Sequence, residues 1–272
     1  MLQVRDLQLQ RLELKYLINE QIASGVRSFV SSYLDLDPFG EGQPNLSYPV
    51  HSLYLDSDGL ALYRQTIHGD PNRFKLRVRY YSSLSGAPVY LEIKRRLNAA
   101  VLKQRVGLRR NGIEGVLAGQ LPGPELLLSA DSRHLAALQQ FSRLMTDGQF
   151  SPRAHVCFLR EAWVHRENNS VRVTMDRKVE CEPETRPIFR TNTIEPALVF
   201  GRSVVLELKF TGRFPEWFGE LVRTFGLMQT SVAKYAAGVS LIGEELFSRR
   251  YRPRPAFAGN DQSEILPRQF SA

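Results

Sequence analysis

Long apolar runs are missing from this chain. Nowhere do about 18 hydrophobic residues follow one another, and the opening Met-Leu-Gln-Val-Arg-Asp carries no apolar signal core. A membrane-spanning helix and export are therefore not expected, and a cytoplasmic setting is. Cysteine is scarce as well. Cys157 and Cys181 are the only two in 272 residues, too few for a disulfide framework and not at metal-ligand spacing. The five histidines are scattered, and His51 and His155 read as packed or surface residues rather than ligands. The Gly-x-x-x-x-Gly-Lys loop, Gly-x-Gly-x-x-Gly, Gly-x-Ser-x-Gly and His-Glu-x-x-His are all absent. Ordinary P-loop and Rossmann nucleotide binding, serine hydrolysis at a nucleophile elbow and zinc peptidase chemistry go with them.

What the chain does have is positive charge. Lys and Arg number 36 against 28 Asp and Glu, giving a net charge of +8 and a pI near 9.6. Such a balance attracts phosphates, nucleic acid or acidic surfaces. At 43% hydrophobic and 24% charged, the composition is that of a folded protein with a sizeable core. The most informative stretch is Arg73-Phe-Lys-Leu-Arg-Val-Arg79, where cations alternate with Phe74, Leu76 and Val78. A strand has a side-chain period of two, so Arg73, Lys75, Arg77 and Arg79 share one face. Two unit charges about 6 Å apart repel by about 3 kcal/mol at an effective dielectric near 20. Water or a polyanion must answer that repulsion.

The pattern recurs. Glu13-Leu-Lys15, Glu92-Ile-Lys94 and Glu207-Leu-Lys209 are three Glu-x-Lys triplets, and Lys103, Arg105 and Arg109 continue the habit. Each triplet alone fits a cross-strand ion pair. Together with the ladder they point to a sheet whose charged faces converge, with a solvated polar face as the bland alternative.

Periodicity predicts a short strand at 13–15, a helix over 19–33 opened by Asn19, and a loop over 35–49. Strands are expected near 50–56, 73–81, 88–97, 101–109, 154–164, 171–178 and 203–211, with a helical turn at 57–64. A helical insertion lies at about 113–148, and helices are expected over 215–226 and 232–247, the last carrying Lys234-Tyr235 in its first turn. This is an α+β order, read as one domain over 1–248. The polar, proline-bearing tail 249–272 is expected to be disordered.

Without a nucleophile–base pair, catalysis must rest on charge and positioning. Phosphoryl transfer suits that restriction, because alignment and neutralisation of phosphate oxygens stabilise its transition state. Arginine offers paired donors to phosphate and lysine a point charge. Glu207, Glu13 or Glu92 would suit Mg²⁺ or Mn²⁺ among those cations, unless each merely pairs with a neighbouring Lys or Arg.

The pieces Glu13-Leu-Lys-Tyr16, Ser52-Leu-Tyr-Leu-Asp-Ser57, Lys75-Leu-Arg-Val-Arg-Tyr80 and Leu91-Glu-Ile-Lys94 carry a resemblance. It continues through Phe158-Leu-Arg-Glu-Ala162, Val171-Arg-Val-Thr-Met-Asp-Arg177, Leu206-Glu-Leu-Lys209 and Ala233-Lys-Tyr235. In this order, over about residues 10–245, they resemble the polyphosphate-polymerase domain of vacuolar transporter chaperone complexes. That domain belongs to the triphosphate tunnel (CYTH-like) superfamily.

The resemblance implies an antiparallel β tunnel barrel with flanking helices and a basic inner wall. It implies transfer of the terminal phosphoryl group of ATP to a polyphosphate chain, with Mn²⁺ (or Mg²⁺) bridging the phosphates. Lys15, Arg77, Arg79, Lys94, Arg160 and Lys234 would grip phosphates. Arg64, Lys75, Lys103, Arg177, Lys209 and Tyr235 would add substrate contacts, and Glu207, with Glu92 and Glu13, the metal ligands. Two motifs depart from the family: Ala233 stands where Ser commonly precedes the Lys-Tyr pair, and Leu55-Asp-Ser57 replaces Phe-Asp-Thr. A triphosphate hydrolase of the same superfamily and a non-catalytic polyanion binder are the alternatives. Nucleic acid is the less favoured ligand, since aromatic–basic interleaving is limited to Tyr80-Tyr81 near the ladder.

Overall fold

Strict alternation over Asn72–Tyr80 gives a strand, β4 in chain order, with Leu76, Val78 and Tyr80 fully buried on one face. The computed structural model describes residues 11–98, 100–165, 167 and 170–248, so the tail at 249–272 lies outside the described residues. Before β4 come β1 (Arg11–Ile18), α1 (Glu20–Val30), β2 (Asp35–Leu36), β3 (Tyr48–Asp56) and α2 (Ala61–Ile67). After it come β5 (Val89–Leu97), β6 (Ala100–Leu108), α3 (Ile113–Leu117) and α4 (Ser132–Asp147). The chain continues with β7 (Ser151–Val164), β8 (Val171–Pro183), β9 (Ala197–Leu198), β10 (Val204–Thr211), α5 (Glu216–Thr224) and α6 (Lys234–Ile242).

Local chemistry sets these boundaries. The Asn19 side chain accepts from the Ile22 amide at 2.8 Å and opens α1. α6 is shorter than expected because Gly243, at φ 110°, turns the chain out of the helix. The helical turn expected at 57–64 falls later, as α2, after Leu60 at φ 55°. Among the described residues, no helix is long and apolar enough to cross a membrane.

The fold is α+β. Its ten strands form one sheet in the order β2-β7-β3-β4-β5-β6-β1-β10-β8-β9, with antiparallel neighbours, and β7 also pairs with β8. The β1–β6 junction is the thinnest, one register pair between Arg11 and Val101.

Helices cover the apolar face. α3 and α4 place Ile113, Leu138, Phe141 and Met145 on Leu76, Val78, Leu91 and Ile93. α1 and α5 pack Val26, Val30, Phe218 and Leu221 on Tyr16, Leu206 and Leu208. α6 packs on the other face, setting Tyr235, Ala236 and Val239 against Tyr54, Val156 and Val205, which share that face with Arg77, Ser52 and Asp176. Each fully buried aliphatic or aromatic side chain contributes about 1.5–3 kcal/mol, which holds α1, α3, α4 and α5 on the face of the strands that Leu76, Leu91 and Leu208 line.

Candidate functional site

The register arranges the charges in rows. Lys75, Lys94 and Lys103 face one another across β4, β5 and β6, and the next row is Arg77, Glu92 and Arg105. Glu92 is fully buried and gathers the cations around it. Arg77 Nε and Nη2 lie 2.7 and 2.6 Å from Glu92 Oε2, and Lys103 Nζ lies 2.7 Å from Oε1. Arg105 and Arg79 stand at 3.6 and 3.9 Å. Burial pushes the Glu92 carboxyl up, but Arg77, Arg79 and Lys103 outweigh it and hold it well below the carboxylate range. Arg77 Nη1 also donates to the Tyr54 hydroxyl at 2.9 Å, and Arg79 approaches Ser52 Oγ at 3.4 Å.

A second set comes from β1, β10, β8 and β7. Lys15 is registered with Glu207, Glu13 with Lys209, Glu207 with Thr174, and Arg160 with Asp176. Arg160 grips both oxygens of Asp176 at 2.7 Å, and its Nη2 is 3.6 Å from Glu207. Lys209 Nζ lies 2.5 Å from Glu207 Oε2 and 3.1 Å from Thr174 Oγ1. Lys15 Nζ donates to the Val232 carbonyl at 2.9 Å and sits 3.9 Å from both Glu13 and Glu207. The first residue of α6 completes the set: Lys234 Nζ is 2.7 Å from Asp176 and 3.2 Å from Glu207. Despite burial, Lys209, Lys234, Lys15 and Arg160 hold the Glu207 carboxyl well below its usual range.

One contact joins the two sets. Lys94 Nζ on β5 lies 2.7 Å from Glu13 Oε2 on β1, although β6 stands between them in the sheet. Burial pushes the Glu13 carboxyl up, but Lys94, then Lys15 and Lys209, hold it at about 2.

Carboxylates do not balance this face. Glu13, Glu92, Asp176 and Glu207 are shared among cations that outnumber them. Among the described residues, Lys75 has no ion-pair or hydrogen-bond partner. Burial, with Lys15, Lys94, Arg77 and Arg73 nearby, pushes its ammonium down to about 7. Lys103 is likewise pushed down to about 7, by burial and by Arg77 and Arg79. Lys209 falls to about 8, chiefly through burial and Arg160. Partly buried cations with too few counter-ions are chemically suited to a multiply charged anion.

Three expected contacts lie elsewhere. Arg64 is exposed on α2 and pairs with Glu244 at 3.3 Å. Arg177 faces away from Asp176 and is held by Glu20 at 2.8 Å and Glu161 at 2.9 Å. Tyr235 follows Lys234 but donates to Asp56 at 2.9 Å and stacks on Tyr54, with ring centroids 5.0 Å apart. At the far end of the ladder, Arg73 donates to the Asp70 carbonyl. Conversely, Asp176, Thr174, Tyr54 and Ser52 belong to the charged face without having been expected there. The alternation Arg172, Thr174, Asp176 against Val171, Val173, Met175 was the available signal.

The model of the VTC domain family matches residues 10–242. That match covers every residue of both charged sets. The chain belongs to the VTC domain family. A search among curated proteins returned no match. The family is associated with polyphosphate polymerase activity, and in this VTC domain the surplus cations occupy the face opposite α1, α3, α4 and α5, with α6 packed on part of it.

Proposed function

We propose that this VTC domain is a metal-dependent polyphosphate polymerase acting on ATP, and that its strands enclose a tunnel. Two features support the enclosure: the β7–β8 pairing beyond the linear strand order, and the Lys94–Glu13 contact spanning β6. The observation that carries the activity is the row Lys75–Lys94–Lys103, with Lys75 lacking a counter-ion among the described residues, in a family tied to polyphosphate. A chain of phosphates supplies successive negative charges to such rows.

In the reaction, a terminal oxygen of the polyphosphate attacks the γ-phosphorus of ATP. The bond from that phosphorus to the β–γ bridging oxygen breaks, its electron pair leaves on ADP, and the polymer grows by one phosphate. Arg77, Arg79 and Arg160 orient and neutralise phosphate oxygens, Lys15, Lys94 and Lys234 supply point charges, and Lys75, Lys103 and Lys209 extend the track. Glu207 and Glu13 offer hard oxygen donors of the kind Mg²⁺ and Mn²⁺ take beside phosphates, and Lys209 lies 2.5 Å from the first and 3.9 Å from the second. Such an ion, when bound, supplies Lewis-acid neutralisation of phosphate oxygens. Glu92, enclosed by Arg77, Arg79, Lys103 and Arg105, serves instead as the counter-ion that holds those cations in place.

Incubation of the purified chain with ATP and Mn²⁺, followed by gel separation of phosphate polymers, tests this reading. A ladder with matching ADP supports it. Orthophosphate without chain growth identifies a hydrolase, and tight binding without turnover a polyanion binder.

A further inference from the structure

A cluster on the opposite face of β3, β7 and β8 takes no part in the site above. His51 lies directly across the ladder from Cys157, which pairs in turn with Glu180; His155 is two residues from Cys157 and pairs with Glu182. One donor atom from each of His51, His155 and Cys157 falls within 4.8 Å of the other two. His51 and His155 are 3% and 1% exposed, and Cys157 is half-buried.

The protons of this cluster do not cover its lone pairs. His155 Nδ1 is 3.0 Å from Glu182 Oε1, so it donates there and leaves a lone pair on Nε2. The Tyr80 hydroxyl is 3.1 Å from that Nε2 but gives its only proton to the Arg190 carbonyl at 2.7 Å. His51 Nδ1 is 3.2 Å from the same Nε2. If His51 Nδ1 carries the proton, His51 Nε2, buried and without a partner among the described residues, keeps a bare lone pair. If Nε2 carries it, two lone pairs face each other at 3.2 Å. Either tautomer leaves a buried nitrogen unsatisfied, the condition that a Lewis acid relieves.

We propose that His51, His155 and Cys157 bind a borderline transition ion, Zn²⁺, with the fourth position left to water. Two imidazoles and a thiolate suit Zn²⁺ and not the hard ions that Glu207 would take. The Cys157 thiol donates to Glu180 Oε2 at 3.4 Å, so a carboxylate stands beside the proton that a metal displaces. Donors around a tetrahedral ion stand about 3.3–3.7 Å apart for bonds of about 2.0–2.3 Å, against a mutual separation within 4.8 Å here, so the three side chains draw together by up to about 1 Å on binding. Glu182 fixes the His155 ring in the tautomer that offers Nε2, the usual carboxylate–histidine support of a metal ligand.

On binding, the Cys157 S–H bond breaks, its proton passes to solvent, and the sulfur electron pair bonds the ion. Nothing is oxidised or reduced. The 184–196 segment closes over the cluster: Arg190 pairs with Glu182 at 2.8 Å, the Ile194 amide donates to Glu182 at 2.9 Å, and Thr193 donates to Glu180 at 2.9 Å. The bound ion therefore pins this segment to β3, β7 and β8.

The test titrates the full chain, freed of metal by chelation, with Co²⁺ at micromolar protein and then with Zn²⁺. The expected result is one equivalent bound, a thiolate-to-cobalt absorption with the visible bands of tetrahedral Co²⁺, and its loss on adding Zn²⁺. About one proton is released per ion. Cys157→Ser removes the thiolate absorption, whereas Cys181→Ser keeps it, because Cys181 packs in the α6 core against Gly238. The wild-type spectrum needs no variant to fold. Absence of a thiolate band in the wild type, a need for millimolar ion, or a band that survives Cys157→Ser overturns the proposal.

Discussion

Lys75 lies directly across the β4–β5 ladder from Lys94, cation against cation. Like charges opposed across an antiparallel pair destabilise the sheet, and burial with Lys15, Lys94, Arg77 and Arg73 nearby pushes the Lys75 ammonium down to about 7. A bound phosphate chain reverses that balance. It favours the ammonium, raises the pKa from about 7 and draws in a proton; Lys103 and Lys209, at about 7 and 8, act in the same sense. Tripolyphosphate affinity is therefore expected to fall about 10-fold or more from pH 6 to pH 9, with net proton uptake near neutrality. Calorimetry in buffers of different ionisation enthalpy measures that uptake. Affinity independent of pH, with no proton taken up, contradicts the assignment of Lys75.

The same shift governs stability. The Lys75 ammonium titrates at about 7 in the folded chain against 10.5 for an ordinary lysine. Between those values the unfolded chain binds more protons, so native stability rises with pH across that window. Below pH 7 the full penalty is present. Lys75→Met is expected to raise the melting temperature at pH 6 by about 2–4 °C, the effect of ~1 kcal/mol in a domain of this size. The gain should vanish by pH 10–11. An unchanged or lower melting temperature at pH 6 would mean that the amine is solvated.

Arg77 and Arg177 separate activity from architecture. In Arg77→Ala, Glu92 keeps Lys103 at 2.7 Å and Arg105 at 3.6 Å, so folding persists while polymer synthesis falls about 10–100-fold. In Arg177→Gln, Glu161 loses a buried partner 2.9 Å away, costing about 1–3 kcal/mol, while kcat stays within about two-fold of wild type. Urea melts beside initial rates distinguish the two patterns, and the reverse assignment would place Arg177 with the substrate.

The period of two made the ladder legible, and with it the face shared by Lys75, Arg77, Arg79, Glu92, Lys94, Glu207 and Lys209. What alternation cannot supply is which strands lie together. Asp176 and Arg177 are neighbours in one motif, yet one meets Arg160 on the charged face and the other meets Glu161 on the opposite face. Arg64 looked eligible by charge, but α2 begins only after Leu60 and leaves it beside Glu244. Tyr235 follows Lys234, and helical geometry turns it toward Asp56. His51, His155 and Cys157 were hidden for a related reason. His51 and Cys157 are far apart in sequence, and only the β3–β7 register brings them face to face.

Glu207 anchors the proposed metal contact. Glu207→Gln keeps the shape and the hydrogen bond from Thr174, 3.2 Å away, but removes the charge facing Lys209 and Lys234. The Mn²⁺ concentration for half-maximal rate is expected to rise about 10-fold or more, while metal-free tripolyphosphate binding holds or tightens. Equal losses in both measurements would make Glu207 a structural counter-ion.

The central claim is that Lys75, Arg77, Arg79, Lys94 and Arg160 converge on one polyanion. Calorimetric titration with tripolyphosphate at low ionic strength tests it most directly, with thermal scans alongside. One ligand per chain is predicted, with affinity falling as salt is added and about 2.7 kcal/mol of stabilisation at ~100-fold excess over Kd. Replacing Lys75, Arg77 and Arg79 together by Gln should abolish that binding. No heat and no melting shift at low salt, or undiminished binding by the triple variant, would contradict the account.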